Sequence, residues 1–302
     1  MVERVTLSSG GFEIEVLPER GCAQSRLAWT APDGTCHELM RRPDDETIEN
    51  TSLSLSTLSN FVMLPFANRI DGARFTFNGE VFEIPLNRPQ QNCAIHGHAR
   101  DVPWKLVSRL DNALTFEVRF KRDDTPYDFT ARQTFKIENG RAGIEAWVRN
   151  ESAHTLPYGF GYHPWFPMLD DTRLEFKAHH TFTSDDRTFP IEPVAVPPEL
   201  DFSGNPVIMP MAEVDKHYAG WDSRETLISQ PSLGYRLKVS GAEALTNVHI
   251  FVPENNSAFC VEPVSHVTDV VNRRDLKTFG DMTPLATGES MAGTMWLEPE
   301  VL

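Results

Sequence analysis

The chain has 302 residues, 43 acidic and 28 basic, and its formal net charge is -15 at pH 7. This length is compatible with one large core, and we expect residues 1–302 to form a single domain. The negative charge disfavours binding to nucleic acid or to an anionic membrane, and it favours a small neutral partner.

The amino-terminal segment MVERVTLSSGGFEIEV lacks the basic and apolar stretches of a secretory signal. No run of about 18 apolar residues occurs elsewhere in the chain. We therefore expect a cytoplasmic protein that does not cross a membrane. The four cysteines form no Cys-x-x-Cys pair, which predicts free thiols rather than disulfides or a thiolate zinc site.

Residues 41–98 combine a polar connection, a hairpin and candidate site residues. RRPDDETIENTSLSLSTLSN (41–60) predicts a surface connection or a short helical turn. Asn68 and Arg69 precede the segments ARFTF and EVFEI, and the Asn-Gly pair between these segments favours a two-residue hairpin turn. His96 follows in AIHGHA, where His-x-His without a third ligand is a poor metal signature, so we expect no required metal.

Alternation of apolar and polar residues predicts strands with one buried face in the middle of the chain. It is clearest in LTFEVRF (114–120), FTARQTFKI (129–137) and GIEAWVR (143–149), and an Asn-Gly pair at 139–140 predicts a hairpin between the last two. No long stretch has helical apolar spacing, and no fixed repeat suggests a propeller or a solenoid. The sequence therefore predicts an antiparallel all-β sandwich.

The stretch GFGYHPWF (159–166) holds His163 between aromatic residues and a proline. A lone histidine in such a setting is more often a hydrogen-bonded structural side chain, but its near-neutral pKa also suits acid–base chemistry. The glycines would allow the backbone to approach a ligand, and the aromatic rings would keep water from a cleft wall. His163 is therefore a candidate acid or base.

Two candidate aspartates follow an irregular segment, residues 181–212, whose prolines exclude a continuous central strand. VDKHYAGWD (214–222) contains Asp215 and Asp222, and its Trp221 is either a sugar-stacking surface or a core residue. Glu262 comes later, directly after the apolar strand residues FCV. Burial of a carboxylate is unfavourable unless it is paired or used, so Glu262 belongs either to an ion pair at a sheet edge or to a functional site.

The order of these clusters resembles the aldose 1-epimerase (galactose mutarotase-like) family from about residue 10 to residue 300. The matching pieces, in chain order, are Asn68-Arg69-Ile70 with Gly72, Phe75 to Gly79, Asn87, His96-Gly97, Gly161 to Phe166, and Glu262-Pro263 with Ser265 and Asn272. The resemblance implies a large antiparallel β-sandwich with a sugar-binding cleft. It also implies an isomerase that interconverts the α and β anomers of an aldose without a cofactor.

The resemblance also implies a role for each candidate residue. By position, Glu262 corresponds to the general base and His163 to the general acid of ring opening. The remaining candidates would bind the sugar: Arg69, His96, Asn68, Asp215, Asp222 and Trp221. We prefer Asp215 to Asp222, because the family has an aromatic residue two or three positions after its aspartate.

Two other functions stay open. The segment around His163 departs from that of the galactose-handling members, and related hexose-6-phosphate 1-epimerases hold a phosphate with basic residues. Arg74, Arg88 and Arg100 flank the first cluster and could do the same. The same cleft could also serve a non-catalytic sugar-binding or sensing protein, although such a protein needs no matched acid and base. The sequence specifies neither the sugar nor the oligomeric state.

Overall fold

A computed structural model of the chain describes residues 1–208, 213–254 and 257–302. Strands dominate these ranges, and the α-helix among them, α1, spans only Asp45–Glu49. No helix in the described ranges has the length and apolar character needed to span a membrane.

The described part contains 26 strands. Those before residue 151 are β1 Val5–Ser9, β2 Phe12–Leu17, β3 Ala23–Thr30, β4 Cys36–Glu38, β5 Val62–Met63, β6 Arg69–Asp71, β7 Arg74–Phe77, β8 Glu80–Glu83, β9 Cys93–Ile95, β10 Lys105–Leu110, β11 Ala113–Lys121, β12 Asp128–Glu138 and β13 Arg141–Asn150. Those after it are β14 Leu156–Tyr158, β15 Gly161–Tyr162, β16 Trp165–Pro167, β17 Arg173–Glu175, β18 Ala178–Ser184, β19 Pro190–Ala195, β20 Val214–Trp221, β21 Glu225–Gln230, β22 Tyr235–Gly241, β23 Asn247–Val252, β24 Ala258–Val264, β25 Thr283–Leu285 and β26 Ser290–Val301. Short 3-10 helices lie at Leu55–Thr57, Pro89–Gln91, Ala99–Asp101, Pro198–Leu200, Asp222–Arg224, Pro231–Leu233 and Arg274–Phe279.

Two eight-stranded sheets form the sandwich. The first has the order β10-β11-β12-β13-β26-β22-β21-β17, and the second has the order β19-β18-β20-β23-β24-β15-β5, with β16 also paired to β24. A four-stranded sheet, β1-β2-β3-β4, and three two-stranded sheets accompany them. The strand pairs within both large sheets are antiparallel. The predicted antiparallel all-β sandwich is confirmed.

Glycines allow the two large sheets to pack closely. A Cβ added at Gly293 of β26 would lie 2.8 Å from the ring of Phe160, and one added at Gly241 of β22 would lie 2.9 Å from the ring of Trp221. Buried hydrophobic side chains from Val5 to Leu297 form one continuous cluster. This continuity favours the single domain that the sequence predicts, which stays a prediction.

Both Asn-Gly hairpins are confirmed. Asn139 and Gly140, with φ angles of 52° and 75°, connect β12 to β13. Asn78 and Gly79, with φ angles of 51° and 82°, connect β7 to β8. The four apolar residues of LTFEVRF in β11 are buried, as their spacing predicts.

The two irregular segments also follow the sequence. Residues 41–60 contain α1 and a 3-10 helix, which agrees with the predicted surface connection or short helical turn. In the second segment, β19 contains Pro190 and Pro193 and is an edge strand of its sheet. Proline has no backbone N–H to donate, and an edge strand tolerates this because one of its sides has no partner strand. Residues 209–212 of that segment lie outside the described residues.

Candidate functional site

A cavity of about 390 Å³ lies over one face of the second large sheet. This volume is within the range of about 300–1,000 Å³ that is typical of small-molecule sites. Six of the eight candidate site residues from the sequence line it: Asn68, Arg69, His96, His163, Asp215 and Glu262.

The register of three neighbouring strands explains why polar groups meet at the cavity floor. His249 of β23 pairs directly with Glu262 of β24. Asp215 of β20 pairs with Phe251, two residues after His249. Because side chains alternate between the faces of a sheet, Asp215, His249 and Glu262 lie side by side on one face.

His163 reaches the same face from the loop between β15 and β16. Its backbone N–H donates to the carbonyl of Phe61 at 3.0 Å. Its ring stacks between Phe61 and Trp165, with centroid distances of 4.8 and 5.5 Å. The Nε2 atom of His163 lies 3.5 Å from Oε1 of Glu262. The fold therefore brings the two candidate catalytic residues into contact.

Burial shifts the pKa values of this pair in opposite directions. Glu262 is only 2% exposed, and its burial raises its pKa to about 7, against the lowering effect of His249. Burial lowers the pKa of His163 to about 3, and the charges of Arg100 and His249 act in the same direction. Between these two values the pair holds one proton, which rests on Glu262 in the unliganded site.

Asp215 is the centre of a charged network beside the pair. Its Oδ1 accepts a hydrogen bond from Nε2 of His249 at 2.8 Å, and its Oδ2 lies 3.4 Å from Nη2 of Arg69. Burial acts to raise the pKa of Asp215, but His249 and Arg69 outweigh it and lower this pKa, so Asp215 is ionised. Burial acts to lower the pKa of His249, but the bond to Asp215 and the Glu262 carboxyl raise it overall.

His96 is held in the cavity wall by an unusual backbone. Its φ angle is +63°, and its N–H donates to the carbonyl of Asn68 at 2.9 Å. Burial, supported by the charges of Arg100 and Arg69, lowers the pKa of His96 well below its ordinary value, so the ring is neutral. Its ring edge meets the ring of His163 at a centroid distance of 5.2 Å, and its buried Nδ1 has no hydrogen-bond partner among the described residues.

Gly97 fixes the position of His96, and we expect Gly97→Ala to lower the free energy of unfolding by about 2 kcal/mol or more. The added Cβ would lie 2.1 Å from the backbone oxygen of Leu64, and Gly97 has a φ angle of +67°. Gly34→Ala is the matched control, because Gly34 has a φ angle of +91° but nothing lies within 4 Å of its added Cβ. Urea denaturation measures both; equal losses would contradict the predicted clash.

Trp221 and Asp222 are the two candidates that the structure does not bring to the cavity. Trp221 is buried at the end of β20, and its Nε1 donates to the carbonyl of Glu225 at 2.9 Å. Asp222 is exposed and accepts a hydrogen bond from the N–H of Ser223 at 3.0 Å. Of the two candidate aspartates, Asp215 therefore lines the cavity and Asp222 does not.

The site also contains residues that the sequence reasoning did not single out. His249 bonds to Asp215, and Phe61 stacks on the ring of His163. Trp165, which also stacks on this ring, is one of the aromatic residues of GFGYHPWF that were expected at the cleft wall. The available signal for His249 was a histidine inside the apolar strand run VHIFV, but its role depends on register. Among the three arginines considered for a phosphate, Arg88 and Arg100 line the cavity, whereas Arg74 lines a separate pocket.

One group of side chains has the residue types of a metal site. Ligand atoms of His163, Cys260 and Glu262 lie within 4.8 Å of one another. However, Cys260 Sγ contacts Nδ1 of the imidazole while Glu262 contacts Nε2, and one ion binds only one of these two nitrogens. Burial also raises the pKa of Cys260 well above its ordinary value, which disfavours the thiolate that metals bind. The arrangement does not fit a metal centre.

A family model described as aldose 1-epimerase matches residues 4–298 of the chain. The uncharacterised protein YphB of Escherichia coli K12 is 28% identical over 305 residues, which cover 98% of this chain and 99% of YphB. The crystal structure of a proposed aldose 1-epimerase from Escherichia coli K12 aligns with a TM-score of 0.87 and 28% identity, covering 100% of both chains.

A galactose mutarotase-like protein from Clostridium acetobutylicum has the same fold, with a TM-score of 0.88 and 18% identity over 100% of this chain and 96% of that one. The fold, the order of the motifs and a family match over nearly the whole chain agree. The chain therefore belongs to the aldose 1-epimerase family.

Proposed function

We propose that the protein interconverts the α and β anomers of an aldose by acid–base catalysis with Glu262 and His163. The observation that carries this proposal is the contact of 3.5 Å between Nε2 of His163 and Oε1 of Glu262 at the floor of the cavity. Opening of a sugar ring needs one group that removes a proton and another that supplies one, within reach of the same carbon.

The proposed reaction breaks and reforms the C1–O5 bond of the sugar. One group of the pair takes the proton of the C1 hydroxyl, and the electrons of that O–H bond form the aldehyde carbonyl. The other group gives its proton to O5, which receives the electron pair of the broken bond. The aldehyde turns about the C1–C2 bond, and the reverse transfers close the ring on its other face. The pair ends with as many protons as it began, so the chemistry consumes no cofactor.

The acid and base roles are compatible with the pKa values of the pair. Ionised Glu262 with protonated His163 is the arrangement that the family resemblance implies. Protonated Glu262 with neutral His163 is the arrangement that burial favours before the sugar binds. Both arrangements hold one proton, so turnover through either has the same dependence on pH.

The groups around the pair suit the hydroxyls of a sugar. Ionised Asp215 accepts hydrogen bonds, whereas Arg69 and His249 donate them. Phe61 and Trp165 supply the apolar surfaces that exclude water from a small-molecule site. In this proposal Asn68 and His96 complete the polar wall.

The test of the proposed function is the rate at which freshly dissolved α-D-glucose and α-D-galactose reach anomeric equilibrium, followed by polarimetry. Acceleration of a free aldose beyond its spontaneous rate supports an aldose 1-epimerase. Binding without acceleration of any sugar would instead indicate a sugar-binding protein without turnover.

A sugar phosphate is the second candidate substrate, and Arg100 is the observation that favours it. Its guanidinium lies over the ring of Phe61 at 4.5 Å and lines the cavity together with Arg88. The Nε atom of Arg100 is buried without a hydrogen-bond partner among the described residues, and it lies 3.7 Å from Oδ1 of Asp101. The same assay with the anomers of glucose 6-phosphate decides between the two substrates: acceleration of the phosphate alone would assign the second.

We expect kcat/KM for mutarotation to fall as the pH rises through about 7, by about tenfold per pH unit at higher pH. The reason is that burial raises the pKa of Glu262 to about 7, and above this pH the pair has lost the proton that it must supply. The charged and titratable neighbours of this carboxyl are His163, His249, Asp215, Arg69 and Cys260. Initial rates from about pH 5 to about pH 9, corrected for the spontaneous reaction, give the profile; a constant value up to about pH 9 would exclude this assignment.

A further inference from the structure

Cys260 is a buried thiol of the site that the proposed reaction does not use. It lies on β24, two residues before Glu262, and therefore points to the same face of the sheet. Its Sγ lies 3.5 Å from Nδ1 of His163, while Glu262 Oε1 lies 3.5 Å from Nε2 of the same ring. Two residues of one strand thus contact the two nitrogens of one imidazole.

The surroundings of His163 restrict polar contacts to the edge of its ring. Phe61 and Trp165 are stacked on the ring at interplanar angles of 24° and 22°. Within the described part of the chain, Cys260 is the hydrogen-bond partner of Nδ1. The thiol itself is fully buried, and its burial keeps it protonated and neutral by raising its pKa. A neutral thiol can accept a hydrogen bond through its sulfur or donate one through S–H.

We propose that Cys260 is a positioning residue whose sulfur accepts a hydrogen bond from Nδ1–H of His163, which leaves Nε2 as the atom that exchanges a proton beside Glu262. This inference rests on the proposed acid–base function and deepens it. During ring opening and closure only the Nε2–H bond breaks and forms, and the proton on Nδ1 stays on the sulfur side. The hydrogen bond at one ring nitrogen thereby selects the reactive nitrogen.

Another histidine of the cavity, His249, shows why a thiol suits this position. His249 donates to the ionised carboxylate of Asp215, and this contact raises the pKa of His249 in spite of its burial. A carboxylate at the position of Cys260 would raise the pKa of His163 in the same way, and His163 would then hold its proton too tightly to release it. Sulfur is a weak, uncharged acceptor, so it orients the ring and still lets Nε2 release its proton.

The competing explanation is that Cys260 only fills space. It packs with Trp165 and Ala258 in a small hydrophobic cluster. A packing role predicts that Cys260→Ala loses stability but leaves the tautomer of His163 and the pH profile unchanged. A positioning role predicts a change of tautomer, which is a property that packing alone does not set.

The test is ¹⁵N NMR of the histidine-labelled protein, with the His163 signals assigned by their loss in His163→Asn. We expect the Nδ1–H tautomer in the wild type and a shift toward the Nε2–H tautomer in Cys260→Ala. We also expect Cys260→Ala to lower kcat about tenfold or more with little change in KM, which is the lower end of the loss known for partners that orient a metal-binding histidine. Cys260→Ser retains an acceptor and is expected to recover most of the lost activity.

Cys22→Ala is the matched control, because Cys22 is also buried, whereas among the described residues the thiol that contacts the His163 ring is that of Cys260. It is expected to lose stability while it keeps the wild-type tautomer and kcat. An Nε2–H tautomer in an active wild type would overturn the role of Cys260, as would an unchanged tautomer and kcat in Cys260→Ala. Absence of mutarotation in the wild type would overturn the proposed function instead, and the NMR result distinguishes the two failures because it needs no turnover.

Discussion

Glu262→Gln is expected to lower kcat for anomer interconversion by about 1,000-fold, within the range known for positioned acid–base groups. Glutamine has nearly the shape of glutamate but cannot take or release the proton of the pair. The residues proposed to hold the hydroxyls are unchanged, so sugar binding is expected to persist. Polarimetry gives kcat, and calorimetric titration with the same sugar gives the affinity.

The control for this change is Asp222→Asn, which also neutralises a carboxylate but at an exposed position outside the cavity. It is expected to keep the activity of the wild type. Retention of turnover in Glu262→Gln would refute the mechanism. Loss of turnover in Asp222→Asn would refute the assignment of Asp215 as the aspartate of the site.

The same Glu262→Gln change is expected to stabilise the fold by roughly 1 to 3 kcal/mol at about pH 8. The folded-state pKa of Glu262 is raised from 4.5 to about 7, so its stabilising contribution is present below about pH 4.5 and is lost as the pH rises through about 7. Above that pH the wild type buries a charge that glutamine does not carry. Thermal unfolding at about pH 8 and about pH 4 measures the difference, which is expected to vanish at the lower pH.

His163→Asn is expected to lower kcat by about 100-fold or more, because asparagine has no group in place of the imidazole Nε2 beside Glu262. Its amide nitrogen can still approach Cys260, so the contact on the other side of the ring is replaced rather than removed. The double variant of His163→Asn and Glu262→Gln should be no slower than the slower single variant, because groups that act as one unit are strongly non-additive. Independent losses that multiply in the double variant would show that the two residues do not act as a pair.

The sequence predicted the architecture because its signals are local. Alternation in β11 and the Asn-Gly turns depend on a few adjacent residues, and each determines a strand face or a hairpin. Glu262 and His163 were found through the order of motifs that resembles the family. Their contact, and the opposite shifts of their pKa values, required the structure, because burial depends on side chains from the whole cavity.

The choice between the two aspartates shows where local reasoning ends. Asp215 and Trp221 are both on β20 and have the same parity along the strand, so alternation alone predicts the same face for both. However, Gly220 has a φ angle of +65°, which interrupts the alternation, and the ring of Trp221 packs towards Gly241 of the other large sheet. Asp222 then lies beyond the end of β20 and is exposed. His249 and Cys260 were missed for a related reason: their partners are defined by the register between strands and by a loop far away in the chain.

The position of β24 has a consequence for how activity arises during folding. This strand pairs with β23 on one side and with β15 and β16 on the other, so it joins segments that are remote in the chain. His163 and Cys260 are 97 residues apart, and Arg69 and Asp215 are 146 residues apart. Closure of such long loops is slow compared with formation of the β12–β13 hairpin. The proposed turnover therefore requires the completed sandwich, because the cavity is lined by residues from both halves of the chain.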